Sequence, residues 1–218
     1  MITAQQLEVR AGARLLMEDV SFRVAAGDKV GLVGRNGAGK TTLTKILAGE
    51  ALPASGKVTT TGAVGYLPQD PRIGDPEVLA RSRILSARGL DDVVRRLREA
   101  EVEMGSSDPV VAERAMKRYS RADNELHAGG GYAAESEAAQ IAQSLGIEER
   151  ILAQPLKTLS GGQRRRVELA RILFSGAETL LLDEPTNHLD ADSIVWLREF
   201  LRSFRGGIVV ISHDTALL

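Results

Sequence analysis

Apolar and polar positions divide the chain into strand-and-helix segments at its two ends and a charged helical segment between them. Four apolar runs have the length of buried strands: 29–33, 64–67, 179–182 and 208–211. A glycine-rich loop follows the first run, and a helix is predicted over 40–48, with Gly49 as its C-cap. Further helices are predicted over 160–174 and 192–204. This alternation predicts an α/β fold with a mostly parallel sheet and helices on its faces.

The middle of the chain, from about residue 76 to 157, has apolar residues at helical spacing among many charges. Val93 and Leu97, for example, stand among arginines and glutamates, a pattern typical of helices with one buried face. Turn-forming residues at 105–109 and 129–131 interrupt this pattern. We therefore expect two or three helices here, with a protruding hairpin as one arrangement. The predicted organisation has three parts: a β-rich part with the glycine loop over 1–75, a helical subdomain over 76–157, and a return to the first part over 158–218.

Composition bounds the class of protein and its compartment. The 218 residues carry 28 Lys plus Arg against 29 Asp plus Glu, so the net charge of -1 excludes a basic nucleic-acid arm or an acidic tail. No apolar run approaches the roughly 18 residues that cross a membrane, and the first ten residues do not resemble a signal peptide. The absence of cysteine excludes disulfides and thiolate metal sites and is typical of the cytoplasm. Because the chain stops soon after His213, we expect a domain that is cut short there.

The loop after the first strand fits the phosphate-binding pattern G-x-x-x-x-G-K-[ST]. Its residues are Gly34, Arg35, Asn36, Gly37, Ala38, Gly39, Lys40 and Thr41. The glycines allow backbone N–H groups to turn toward phosphate oxygens, and the helix N-terminus favours anions. We expect Lys40 to contact the β- and γ-phosphates, Thr41 to hold Mg²⁺, and Thr42 to lie on the α-phosphate side. The alternative is a glycine turn without a ligand, which the preceding strand and following helix disfavour.

Two carboxylates, Asp183 and Glu184, follow the apolar run 179–182, at the position where ligands gather in parallel sheets. A buried carboxylate is costly without a partner, and a bound cation is the simplest partner. We expect Asp183 to bind Mg²⁺ through water, and Glu184 to orient and deprotonate the attacking water. The alternative is an ordinary helix-capping pair, which the phosphate loop upstream makes less attractive.

A second phosphate-binding surface is predicted at Ser160, Gly161, Gly162 and Gln163. Ser160 can cap the helix that follows, which leaves the two glycines to present bare N–H groups at its positive end. One nucleotide does not need two helix N-termini from distant parts of the sequence. The second surface could therefore serve a nucleotide that is held by another copy or domain.

The combination of these motifs resembles the ATP-binding cassette (ABC) ATPases, whose signature reads LSGGQ, as at 159–163. The resemblance covers essentially the whole chain. It implies a P-loop fold with a mostly parallel core sheet, an antiparallel N-terminal β-subdomain and an inserted helical subdomain. It also implies that Gln69 touches Mg²⁺ and the catalytic water, that Asp190 crosses to a partner domain, and that His213 contacts the γ-phosphate. Taken singly, a glutamine or histidine of this kind is more often structural.

The string Asp-Glu-Pro-Thr-Asn-His-Leu-Asp at 183–190 is similar to the ABC-F group. That group consists of soluble paired-cassette proteins that bind ribosomes and act in translation or in antibiotic protection. The span from Gln69 to Ser160 is long, and the excess falls where ABC-F proteins carry an inserted helical arm. The sequence departs from the family at Ala11, where an aromatic residue usually stacks on adenine. Base selectivity is then loose or is supplied by Arg14 or another residue. The sequence departs a second time in holding one cassette where ABC-F proteins have two.

The resemblance implies an ATPase that uses ATP and Mg²⁺, works as half of a head-to-tail pair and is weak when isolated. Its implied partners are a second cassette and ribosomal RNA, without membrane insertion. The alternative function is the ATPase subunit of an ABC transporter, against which Asn187, His188 and the long insertion argue. A DNA-repair or chromosome-structuring ATPase is disfavoured because no long heptad coiled coil interrupts the chain.

Basic residues cluster on two of the predicted helical regions. One cluster is Arg164–Arg166 after the signature, and the other, in the proposed arm, contains Arg95, Arg96, Arg98, Arg114, Lys117, Arg118 and Arg121. Interleaved glutamates favour a solvated helical face for the arm. The alternative is contact with ribosomal RNA phosphates, which would depend on salt.

Overall fold

The computed structural model describes residues 1–70, 74–128 and 130–212 of the chain. The chain divides into two compact units, one comprising Met1–Arg72 and Ser175–Leu218 and the other comprising Ile73–Phe174. The first unit contains two sheets, whereas the second unit is helical. The chain therefore leaves the first unit after its fifth strand and returns to it for the last two strands.

An antiparallel sheet forms the N-terminal part of the first unit. Its strands are, in spatial order, β2 (Arg14–Val24), β1 (Ile2–Ala11) and β4 (Ser55–Thr60). Buried residues alternate along β1, first as Ile2 and Ala4 and then as Leu7 and Val9. Gln6, with a φ of 47°, lies at the register shift between these two pairs. This irregularity moves the alternation from even to odd positions, so that one face of the strand stays in the core.

A parallel sheet forms the centre of the first unit. Its strands are, in spatial order, β3 (Lys29–Leu32), β7 (Gly207–Ile211), β6 (Thr179–Asp183) and β5 (Val64–Leu67). The two central strands are buried at every position, as is usual in parallel sheets. Leu32 and Asp183 both pair with Ile211, so the carboxyl ends of these strands share one edge of the sheet. The predicted mostly parallel sheet and antiparallel N-terminal part are therefore confirmed.

Two helices belong to the first unit. Helix α1 (Lys40–Leu47) packs on β1 and contributes Leu43, Ile46 and Leu47 to the core. The last helix of the chain, α8 (Ala191–Ser203), begins after Asp190, whose carboxylate accepts a hydrogen bond from Ser193 N at 2.9 Å. Both helices match the predicted positions to within one or two residues.

The second unit contains six α-helices within the residues that the structure describes. They are α2 (Ala80–Leu85), α3 (Asp91–Met104), α4 (Pro109–Ala128), α5 (Gly131–Ser144), α6 (Glu149–Leu152) and α7 (Gly161–Phe174). The predicted breaks near 105 and 129 and the predicted signature helix are confirmed. The expected two or three helices between 76 and 157 are wrong in number, because five occur there. Helices α2 and α6 have six and four residues, too few to display a helical period.

Helices α3 and α4 form an antiparallel hairpin. Arg96 pairs with Glu125 at 2.9 Å, and Glu103 pairs with Arg118 nearer the connecting turn. The residue numbers of both pairs sum to 221, which fits an antiparallel register. Helix α5 is joined to α3 by the ion pair of Arg98 with Glu135, at 3.3 Å.

Helix α7 is anchored in the second unit by charges that lie largely out of water. The buried carboxylate of Glu168 accepts hydrogen bonds from Arg83 at 2.5 Å and from Arg171 at 2.8 Å. Arg165 is also buried, and Arg166 donates to the carbonyl of Gly146 at 3.1 Å. The cluster at 164–166 is therefore partly packed into the unit and is not a fully solvated face.

No helix in the described ranges combines the length and apolar character needed to cross a membrane.

Candidate functional site

A cleft of about 560 Å³ opens at the carboxyl edge of the parallel sheet. Its lining comes from the glycine loop, the ends of β5, β6 and β7, and the hairpin of β1 and β2. The lining residues are Ala11, Arg14, Leu16, Asn36, Gly37, Gly39, Lys40, Thr41, Thr42, Gln69, Asp183, Glu184 and Ile211. All of them belong to the first unit. Residues from five separate stretches of sequence therefore meet at one edge, as expected for parallel strands.

The glycine loop 34–39 has a backbone that requires glycine at two positions. Gly37 and Gly39 have φ values of 78° and 97°, in the left-handed region that other residues avoid. A Cβ on Gly39 would also stand 3.0 Å from the Cβ of Leu16. No side chain caps α1, which begins directly after Gly39. The first N–H groups of this helix therefore lack a side-chain partner, which suits an anion.

Lys40 is bonded to the glycine loop itself. Its ammonium donates to the carbonyl oxygens of Gly34 at 2.7 Å and of Arg35 at 3.1 Å. Both carbonyls belong to the loop that lies beside the first turn of α1. The ammonium is therefore held over the loop, close to the N-terminal end of the helix, where it adds positive charge to an anion site.

The residues predicted to hold Mg²⁺ lie together. The hydroxyl of Thr41 donates to a carboxylate oxygen of Asp183 at 2.8 Å, and Asp183 is 1% exposed. Among the described residues no group of three or more His, Asp or Glu could enclose a metal ion. A hydroxyl and one carboxylate, completed by phosphate oxygens and water, are the donor set that Mg²⁺ prefers. The residues present therefore fit this ion.

Glu184 has an unusual backbone conformation. Its φ is 50°, and its N–H donates to the carbonyl of Ile211 at 2.8 Å. Its side chain is largely buried, with 8% of the residue exposed. Left-handed conformations of residues other than glycine cost of order 1–3 kcal/mol and cluster at active sites. The strain is consistent with a catalytic position for this carboxylate at the end of β6.

Tyr66 contributes an electrostatic feature that the sequence did not reveal. Its hydroxyl is buried and has no hydrogen-bond partner in the described part of the chain. Burial, reinforced by the nearby charges of Asp183 and Glu50, raises the pKa of this phenol above its ordinary value of 10.0. Tyr66 therefore stays neutral at any physiological pH.

We expect Tyr66→Phe to keep or raise the free energy of unfolding at neutral pH, because it removes a buried hydroxyl without a partner. Because the pKa of Tyr66 is raised in the folded state, the phenol ionises more readily in the unfolded chain. This group therefore leaves the free energy of unfolding unchanged well below pH 10.0 and lowers it as the pH rises through and above 10.0. Urea unfolding at pH 7 and at about pH 10.5 tests this. The unmodified chain should lose more stability between the two pH values than the variant does, and equal losses would contradict the assignment.

The predicted signature residues lie in the second unit, outside the lining of the cleft. Ser160 and Gln163 form a reciprocal cap: Gln163 N donates to Ser160 Oγ at 3.2 Å, and Ser160 N donates to Gln163 Oε1 at 2.8 Å. The predicted N-cap role of Ser160 is therefore confirmed. A Cβ on Gly161 would meet nothing within 4 Å, so packing within the described chain does not require glycine there.

The remaining predicted residues divide between three situations. Gln69 lines the cleft together with the glycine loop and the carboxylates of Asp183 and Glu184. Asp190 caps α8, which gives its carboxylate a structural role within the chain. His213 lies outside the described residues.

The site defines a class of protein. A glycine loop between a strand and a helix, with a hydroxyl–carboxylate pair at the edge of a parallel sheet, is the P-loop arrangement of nucleotide-binding proteins.

Comparisons with known proteins place the chain within this class. The sequence model of the family described as ABC transporter matches residues 17–187. The tylosin resistance ATP-binding protein TlrC of Streptomyces fradiae is 38% identical over 94% of this chain and 38% of its own length. The probable ATP-binding protein YheS of Escherichia coli K12 is 32% identical over 100% of this chain and 33% of its own length. The chain thus spans little more than a third of these curated relatives.

Solved structures share the fold. The ATP-binding subunit of an ABC transporter has a TM-score of 0.71 at 21% identity, covering 99% of this chain and 80% of that one. The cassette MJ0796, described as a dimer in a post-hydrolysis state with ADP and Pi, has a TM-score of 0.66 at 19% identity, covering 100% and 90%. The matched family model covers most of the chain and shows that it belongs to the ABC transporter family, as an ATPase cassette.

Proposed function

We propose that this cassette binds MgATP in the cleft and hydrolyses it as half of a head-to-tail pair, within an ABC-F protein that acts on the ribosome. The observation that carries the pairing is the capped N-terminus of α7, where glycine is present without an internal packing reason. The resistance function in the name of TlrC supports an action in translation or antibiotic protection. These partners and this action are taken from relatives that are longer than the chain.

The chain's own residues account for the binding of the phosphates. The N–H groups of the glycine loop and of α1 surround the phosphates, and Lys40 neutralises charge on the β- and γ-phosphates. Thr41 and Asp183 would hold Mg²⁺, with Gln69 lining the same cleft. When bound, this ion supplies Lewis-acid charge to the phosphate oxygens.

Glu184 accounts for the hydrolytic step. As a largely buried carboxylate at the sheet edge, it orients a water molecule toward the terminal phosphate and accepts a proton from it. The bond that breaks joins the γ-phosphorus to the bridging oxygen, and the products are ADP and phosphate. The family resemblance assigns contact with the γ-phosphate to His213, which lies outside the described residues.

The second cassette completes the site in this proposal. Ser160 fixes the first turn of α7, so that the N–H groups of Gly161 and Gly162 are positioned before a ligand arrives. An opposing P-loop would place its γ-phosphate against these groups, and the helix dipole favours that charge. Hydrolysis removes the shared γ-phosphate, and the pair then reopens.

The helical hairpin provides the surface for ribosomal RNA. A groove of about 520 Å³ lies along it. Four cations, one carboxylate and one valine line it: Arg114, Lys117, Arg118, Arg121, Glu103 and Val111. Lys117 pairs with Glu113 and Arg118 with Glu103, as the solvated-face interpretation expects. Arg114 and Arg121 have no ion pair within the described residues, so their charges are available to phosphates.

Co-sedimentation with ribosomes tests this proposal. The chain carrying Glu184→Gln, with ATP, should pellet with ribosomes, and Arg114→Ala with Arg121→Ala should weaken the binding and lower the salt slope by about two. The matched control is Arg95→Ala with Arg150→Ala, which removes the same charge from two arginines that already pair with carboxylates. Absence from ribosomes with recovery in the membrane fraction would contradict the proposal and favour a transporter subunit.

A further inference from the structure

The nucleotide cleft has two ends with different chemistry. The phosphate end holds Lys40, Thr41, Asp183 and Glu184, whereas the other end is lined by residues of the hairpin between β1 and β2. The two ends adjoin, because a Cβ on Gly39 would stand 3.0 Å from Leu16 on β2. A nucleotide whose phosphates occupy the glycine loop therefore extends its base toward the hairpin.

The base end offers no aromatic ring among the lining residues that the structure describes. Ala11 and Arg14 pair across the turn of the hairpin, and Leu16 follows on β2. Ala11 and Leu16 provide apolar contact, which does not distinguish one base from another. The amides of the lining, Asn36 and Gln69, belong to the glycine loop and to the segment after β5, at the phosphate end.

Arg14 supplies the polar group at the base end. Its side chain is exposed, and no hydrogen bond or ion pair engages it within the described residues. Arg10 on the same hairpin differs, since it donates to Glu8 and to the carbonyl of Ala13. The guanidinium of Arg14 therefore faces the cleft with five donors and no acceptor.

A guanidinium, which offers only hydrogen-bond donors, favours guanine over adenine. Guanine presents two adjacent acceptors, O6 and N7, which match the fork of a guanidinium. Adenine presents N7 beside the N6 amino group, which is itself a donor. A guanidinium can thus make two hydrogen bonds to guanine where it can make one to adenine.

We propose that Arg14 contacts the acceptor edge of the base, so that the cleft takes guanine nucleotides at least as readily as adenine nucleotides. This inference rests on the proposed nucleotide site. GTP is therefore an additional substrate of the cassette. Its hydrolysis would use the same carboxylate and the same bond, to give GDP and phosphate.

Competition against a fluorescent ATP analogue tests the inference on the full chain. GTP should displace the probe at a concentration no higher than ATP does. Arg14→Ala should lower the affinity for GTP about tenfold, which is the value of one good bidentate contact. It should lower the affinity for ATP by less than about threefold and leave the affinity for tripolyphosphate unchanged. Arg23→Ala, on the same strand and outside the cleft, is the matched control and should leave all three affinities unchanged.

Two results would overturn the inference. The first is an affinity of the unmodified chain for ATP that exceeds its affinity for GTP by more than about threefold. The second is an Arg14→Ala variant whose affinities for ATP, GTP and tripolyphosphate all fall by the same factor. The second result would make Arg14 a general attractor of phosphate. Failure of the nucleotide site itself is distinguishable, because then the probe would not bind, or Lys40→Ala would not release it.

Discussion

Lys40→Ala is expected to weaken the binding of ATP by at least about 30-fold. The ammonium lies beside the start of α1 and is bonded to the carbonyls of Gly34 and Arg35. In the proposed complex this ammonium forms a charge pair with the β- and γ-phosphates of ATP. Truncating one member of a hydrogen-bonded charge pair costs about 2–5 kcal/mol, and 2 kcal/mol corresponds to roughly 30-fold in affinity. Isothermal titration of the chain with MgATP measures the change.

The matched control for this variant is Lys45→Ala. Lys45 lies in the last turn of the same helix, is exposed, and does not line the cleft. Its removal changes the net charge by the same amount and should leave the affinity for ATP unchanged. If both variants bound ATP as the unmodified chain does, the assignment of the cleft would be wrong.

Glu184→Gln is expected to lower the rate of ATP hydrolysis by roughly 100-fold or more, because a positioned general base contributes a factor of that size. The affinity for ATP should change little. The amide is close in shape to the carboxylate, so the backbone at φ 50° and its bond to Ile211 should persist. The cassette should then accumulate as an ATP-bound pair, visible as a doubled mass in sedimentation with MgATP.

Glu199→Gln provides the control, since Glu199 is an exposed residue of α8 away from the cleft. It removes the same charge and should leave both the rate and the mass unchanged. A Glu184→Gln chain that hydrolyses ATP at the original rate would exclude this carboxylate as the base. A slow variant that remains a monomer with MgATP would instead count against the paired cassette.

The sequence carried most of the information for the parallel sheet and its edge. The run 64–67 is a strand with the predicted bounds, and the loop before Lys40 stands between a strand and a helix as expected. These features could be predicted because they depend on local pattern: apolar runs bounded by turns, and glycines at fixed spacing. The lining of the cleft includes Lys40, Thr41, Asp183 and Glu184, which the motifs singled out, and Gln69, which the family resemblance singled out.

Other features depend on tertiary contacts that no local pattern encodes. The strain at Glu184 arises where the chain leaves β6 and bonds to β7, a strand from later in the sequence. The hydroxyl of Tyr66 has no hydrogen-bond partner within the described residues because tertiary packing places no suitable group beside it. Likewise, the shift at Gln6 changes the parity of the buried positions along β1, so strict alternation could not describe this strand.

The bonds of Lys40 have a consequence for how its variants are interpreted. An ammonium has three protons, and two of them are given to the carbonyls of Gly34 and Arg35. The third proton can meet a phosphate oxygen while the other two keep the loop in shape. One side chain therefore acts both as a brace of the loop and as a contact of its ligand, so a loss of affinity at this position reports the two contributions together.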